Sequence, residues 1–343
     1  MRRTVVLIIA LACALPASAA AHGRALRWAP VPTGSDQQYR GLDAVSKRVA
    51  WVGGSAGEVL RTTDGGKRWK DVSPPDSEGL LFRDVEAQDE RRASVLAIGE
   101  ADASRIYTTR DGGRHWTLAF VNDDPAAFYD CMDFYAGGRV GLALSDPVGG
   151  KFRIAATYDS GRSWRVLPND GMPAAVADEF AFAASGTCLV TSGRDAWFAS
   201  GGGASRVFRS RDGGLTWTVT DAPIPAAAAG GVFSLAFRNP WQGVMVGGDF
   251  TVPDNGVDAS GFTRDGGRSW RGGGDLAGYR SGVDWVYGSR ATVIAVGPTG
   301  SDVSYDGARS WKPFDTAAYD AVDCVPGTCW ASGPAGAVAV LDG

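Results

Sequence analysis

The sequence predicts an all-β fold, and three observations carry that reading. A signature of the form Ser/Thr-x-Asp-x-Gly-x-x-Trp, or a one-letter variant of it, recurs six times in 343 residues, beginning at Thr62, Thr109, Thr157, Ser210, Thr263 and Ser304. Successive copies start 47, 48, 53, 53 and 41 positions apart, which is the interval of a repeat architecture. Between copies, short runs rich in Val, Ile, Phe and Ala, such as 95–99, 140–145 and 244–248, are broken by Gly-rich turns, and no window holds a helical period. Units of about 40–50 residues with four strands each are the blades of a β-propeller. Seven blades are expected, the last closed by strands from both chain ends.

The elements follow in chain order. Residues 1–21 read as a secretory signal: Arg2 and Arg3, an apolar run from Val5 to Leu15, then Ala17-Ser18-Ala19 as a cleavage site. That run is far shorter than the ~20 residues a membrane span needs, and no other long apolar run follows. Residues 22–343 form a single propeller in this reading. Six blades end with the six signatures, over roughly 38–72, 80–119, 128–167, 182–220, 231–273 and 281–314. The remainder, Tyr319 to Gly343, holds three strand-like runs and lacks a fourth. Arg27-Trp28-Ala29-Pro30-Val31 matches Arg68-Trp69-Lys70-Asp71-Val72 and supplies it. Closure leaves only short, protected strand edges.

Each signature has a local explanation. Asp64, Asp111, Asp159, Asp212, Asp265 and Asp306 accept backbone N–H groups within their own turns. The following glycines supply positive φ, and the Trp buries a large ring on the next strand. The sixth copy has Ala308 where the others have Gly. The signature resembles the Asp box of bacterial neuraminidase-type repeats. We read the six aspartates as structural staples on the face away from ligands.

Removing the signal takes away Arg2 and Arg3 and no acid, so the charge moves from −4 to about −6. An acidic chain is a poor nucleic-acid binder. The four remaining cysteines permit disulfides in an exported protein. Cys324 and Cys329 flank a Pro-Gly turn, and a cross-hairpin bridge is expected there. Cys131 and Cys188 fall at similar depths of neighbouring blades; a bridge between them is open, and two buried thiols are the favoured expectation.

The inventory of catalytic groups is thin. His22 lies beside the cleavage site and His115 inside a box, away from the expected ligand face, which leaves no histidine for a Ser-His-Asp triad, and no zinc spacing or dinucleotide fingerprint is present. No catalytic residue, metal or cofactor is expected. The enzyme alternative is glycoside chemistry, because Asp-box propellers include sialidases. The candidate acids for it are Glu100, Asp130, Asp133, Asp146 and Asp249.

The longest departures from the blade pattern, 146–151, 201–205 and 249–260, join second to third strands on the face opposite the boxes. Tyr39, Arg40, Arg83, Tyr129, Asp146, Ser185, Thr187, Asp249, Arg280 and Tyr319 are expected on that binding face. Leu144 to Val148, Phe182 to Thr187, Phe233 to Arg238 and Val246 to Asp249 resemble a non-photosynthetic bacterial branch of the photosystem II stability/assembly factor-type propellers. The resemblance spans nearly all of the mature chain. It implies a monomeric, non-catalytic protein-binding or assembly scaffold, periplasmic or secreted. Its partner is an envelope or secreted protein, with a glycan as the other ligand. In photosynthetic members an Arg-rich patch contributes to binding. Arg40, Arg83 and Arg280 stand at the matching inner-strand starts, interrupted by Asp84, Asp130 and Asp284.

Overall fold

The computed structural model describes residues 26–342, so the signal segment at 1–21 lies outside the described residues. Apolar runs of five or six residues such as Ala93–Ile98 and Val293–Gly297 are buried along their whole length, as central strands of a packed sheet require. Gly-rich turns end each run, and antiparallel pairing follows in chain order. Seven sheets result, six of four strands and one of six. Their first strands are Tyr39–Ala44, Leu81–Ala87, Tyr129–Phe134, Leu189–Ser192, Gly230–Asn239, Gly282–Trp285 and Ala321–Val325. Each of these contacts the first strand of the next unit, and Ala321–Val325 returns to Tyr39–Ala44. The chain is a seven-bladed propeller whose first strands line the axis. Its only helical segments among the described residues are two single 3-10 turns, and no helix is long and apolar enough to cross a membrane.

The seventh blade takes its outer strand from the other end of the chain. Arg27–Pro30 pairs antiparallel with Val338–Asp342, Trp28 facing Leu341. Trp28 is buried, donates its indole N–H to Ser301 Oγ at 2.9 Å and packs on Phe314 and Tyr319. The fourth blade differs from the sequence reading. Its first strand begins at Leu189, not near 182, and residues 181–188 are irregular. Glu179–Phe180 and Gly201–Gly202 instead extend the sheet of the fifth blade to six strands. The run Phe182-Ala183-Ala184 closes on itself instead, Ala184 N donating to the Phe182 carbonyl at 2.8 Å.

The six boxes form one recurrent turn between third and fourth strands. In the first, Thr62 Oγ1 donates to Asp64 Oδ1 and accepts from Gly66 N, while Asp64 Oδ1 accepts from Arg68 N, all at 3.0 Å. The Arg68 N–H holds the Asp64 carboxyl below its usual range. Gly65 and Gly66 both take φ +80°. Ala308 takes φ +69° in the sixth turn and still donates to Ser304 Oγ, at the ~1–2 kcal/mol a side chain costs in that region.

The blade seams are pinned along the axis. Asp43 accepts from Ala87 N, Asp84 from Met132 N, Asp133 from Thr191 N, Asp284 from Cys324 N and Asp323 from Ala44 N. The two remaining seams use Leu235 N to Thr187 O and Val283 N to Ser234 Oγ. Burial pushes Asp133 up to about 7 and Asp323 up to about 6, and moves Asp43, Asp84, Glu86 and Asp284 the same way. Between the ordinary carboxylate value and these raised values the folded chain holds protons that the unfolded chain has released, so stability falls as pH rises through that window. We expect the thermal midpoint to rise by a few degrees from about pH 8 to about pH 6. Asp133→Asn, which keeps an acceptor for Thr191, flattens that slope in differential scanning calorimetry. An unchanged slope contradicts the assignment.

Two disulfides are present. Cys324 and Cys329 face each other across their hairpin and are joined. The expectation of free thiols at Cys131 and Cys188 is corrected: the two are bridged, with Cα atoms 6.1 Å apart. They stand side by side in adjacent blades, so the bridge is one more seam.

Candidate functional site

The axis opens at the start of the first strands, on the face opposite the boxes, into a cavity of about 1140 Å³. Each wall comes from a defined part of the ring. Blades four to six supply an aromatic wall. Phe182 stacks on Phe233 at 3.6 Å between ring centres, Phe233 meets Tyr279 edge-on at 4.7 Å, and Phe180 and Phe250 extend the cluster outward. Phe250 is half exposed at the rim. The irregular backbone at 181–188 is what lets Phe182 point toward the axis.

Blades one, two and seven supply a cationic corner. Arg83 donates to the Ala183 carbonyl at 3.0 Å and, among the described residues, has no carboxylate within ion-pair reach. Burial, then the like charge of Arg40, lowers its pKa to about 10, and it stays charged at neutral pH. Arg40 Nε lies 3.5 Å from Asp320, whose other oxygen accepts from Gln38. Two guanidinium groups therefore share one nearby carboxylate.

Blade three supplies an acidic corner. Asp130 is buried and its Oδ2 has no hydrogen-bond partner. Asp146 Oδ1 accepts from Ala181 N at 2.8 Å. Burial pushes Asp146 up to about 6, and burial plus the Asp146 charge pushes Asp130 well above the usual range. A buried acid that stays protonated is a proton donor, and its ionised form is a partner for a cation.

The residues expected on this face divide into two groups. Arg40, Arg83, Asp146 and Tyr319 line the cavity. The others lie outside the cavity lining: Tyr39, Tyr129, Ser185 and Arg280 are buried, which corrects their expected surface position, while Thr187 and Asp249 are half-buried. Tyr39 is buried with its hydroxyl on Glu58. Tyr129 is buried edge-on against Phe120. Ser185 donates to Ser281 O, and Thr187 shares a hydrogen bond with Ser234, so both sew blades together. Asp249 holds its own turn through Thr251. Arg280 is sealed, with Nε 2.7 Å and Nη2 2.6 Å from Asp302. Sequence reasoning does not single out the aromatic wall, because a Phe or Tyr beside a strand carries no local signal of the face it turns to. Among the described residues no group of three His, Cys, Asp or Glu side chains is placed to hold a metal ion.

No family model matches the chain, and no curated protein matches it. Solved structures do. YCF48 bound to a D1 peptide superposes with a TM-score of 0.65 at 16% identity, over 91% of this chain and 94% of that one. YCF48 from Cyanidioschyzon merolae gives 0.63 at 16% identity, over 91% and 98%. The GH74 enzyme of Niastella koreensis gives 0.59 at 16% identity, with 85% of this chain covering 50% of that one. At such identities the likeness establishes the propeller fold and nothing finer.

Proposed function

We propose that the chain is an exported, non-catalytic binding module that seats a segment of a partner protein in the axial cavity. The observation that carries this reading is the aromatic wall facing an arginine without a carboxylate partner. Aromatic and Arg side chains dominate protein contacts when they sit in desolvated pockets. The cavity exceeds the roughly 300–1,000 Å³ of small-molecule pockets, which suits several residues of an extended chain. A peptide-bound neighbour of the same fold supports the reading. Two disulfides support action in an oxidising compartment.

Peptides selected by display on the wild-type protein provide the test. Arg83→Ala and Phe250→Ala are expected to weaken each selected peptide by at least tenfold in anisotropy titrations. Peptides that bind both variants as tightly as wild type remove the cavity from consideration. The paired acids Asp130 and Asp146 favour one second reading, glycoside hydrolysis. Turnover of an aryl glycoside that vanishes in Asp146→Asn replaces the binding module with it.

A further inference from the structure

Chain topology sorts the loops onto two faces. First-to-second and third-to-fourth connections emerge on the box face, and all other connections emerge on the cavity face. The two faces carry opposite charge. The first-to-second turns of the first six blades present Arg48, Arg92, Arg139, Arg194, Arg238 and Arg290, all exposed. The box turns of the same blades present Arg68, Arg114, Arg162, Arg211, Arg268 and Arg309, again all exposed. Of these twelve, Arg92 is paired with Asp89 and Arg211 lies 3.5 Å from Asp195. Each box aspartate shares that face but is folded back onto the backbone N–H groups of its own turn, as Asp306 is onto Arg309 and Ser310.

The cavity face is arranged the other way. Three of its arginines are held in local pairs, Arg105 with Asp102, Arg153 with Asp124 and Arg206 with Glu179, while Arg83 inside the cavity is not. Its exposed acids include Glu78, Glu100, Asp123, Asp178, Asp254 and Asp258. An acidic chain thus concentrates its positive charge on one side of the ring. The net charge alone gives no sign of it.

The box face also exposes aromatic rings: Tyr158 stands apart in the third box turn, and three others share blades five and six. Trp241, Tyr287 and Tyr305 are 52%, 65% and 58% exposed, in neighbouring turns of blades five and six. Arg268 lies over the Trp241 ring, 5.8 Å from its centre. Rings with an apolar body and a polar tip settle at the headgroup level of a bilayer. A broad, basic face with amphipathic rings complements an extended anionic plane, and it offers no groove-reading element for a duplex.

We propose that the box face docks on the headgroups of an anionic phospholipid bilayer, with the cavity face turned to the aqueous side. Each Arg that reaches an anionic leaflet strengthens binding by roughly fivefold. Vesicle flotation of the mature protein tests this. The protein is expected to float with phosphatidylcholine vesicles containing about 30% phosphatidylglycerol, and not with pure phosphatidylcholine. About 0.5 M salt is expected to release it. Arg268→Ser/Arg290→Ser/Arg309→Ser is expected to weaken binding at least tenfold, with an unchanged thermal midpoint, and Trp241→Ser/Tyr287→Ser/Tyr305→Ser to weaken it further at intermediate salt. Asp254→Asn, on the other face, leaves it unaltered. Equal flotation with neutral vesicles, no flotation with anionic ones, or a triple Arg variant that binds like wild type overturns the proposal. So does a random DNA duplex that binds as tightly in the same salt, because the face is then a general polyanion surface.

Discussion

Replacing Trp28 with Ala lowers the stability of the whole ring by about 3–5 kcal/mol, the usual cost of emptying a buried Trp site. The size follows from position. The ring is 5% exposed, holds a hydrogen bond to Ser301 in the sixth blade and sits in the outer strand of the seventh. One side chain thereby joins the chain start to its last two blades. Urea unfolding followed by tryptophan fluorescence reads the midpoint. Hydrogen exchange then separates two outcomes. If closure matters to the entire ring, protection falls in first strands of distant blades such as Tyr129–Phe134. If only Arg27–Pro30 and its immediate neighbours lose protection, the terminal strand is an accessory. Deleting residues 24–33 is expected to reproduce the loss in stronger form.

Asp302→Ala costs a similar ~3–5 kcal/mol, because it leaves the Arg280 guanidinium buried without its counter-charge. Arg280 and Asp302 are 1% and 0% exposed, and the remaining Arg280 donors reach only the Tyr279 carbonyl and Thr299. The double variant Arg280→Met/Asp302→Leu recovers most of the loss, since an apolar pair of similar volume removes both charges together. Chemical denaturation of wild type, single and double variants measures this. A double variant no more stable than Asp302→Ala contradicts a structural ion pair. The outcome also decides whether Arg280 belongs to a ligand patch, as its place in the sequence suggested.

The frame of the molecule was readable because its signals are local and repeated. Asp64, Gly65, Gly66 and Trp69 determine their turn within eight residues, and five more copies with even spacing determine the blade. The binding cavity was only partly readable because its signals are relational. Arg40 and Arg83 were found because each stands at the start of a first strand. Arg280 stands at the same point of its blade, but Asp302, 22 positions later, turns it inward. Tyr39 and Tyr129 were misplaced since a strand-start aromatic can face the axis or the neighbouring blade, and the bulges after both residues decide which. Phe182 was misread because a run of apolar letters looks like a strand whether or not a ladder awaits it. The Cys131–Cys188 bridge depends on two blades meeting, which no spacing in one chain encodes.

The catches between blades have a kinetic corollary. A hoop fastened at every joint has no hinge, so its sectors do not swing apart to admit a guest. Entry to the central chamber is then governed by its rim, where Phe250 and Val176 are about half exposed. Association rates should track rim composition and ionic strength, and leave the melting behaviour of the hoop untouched.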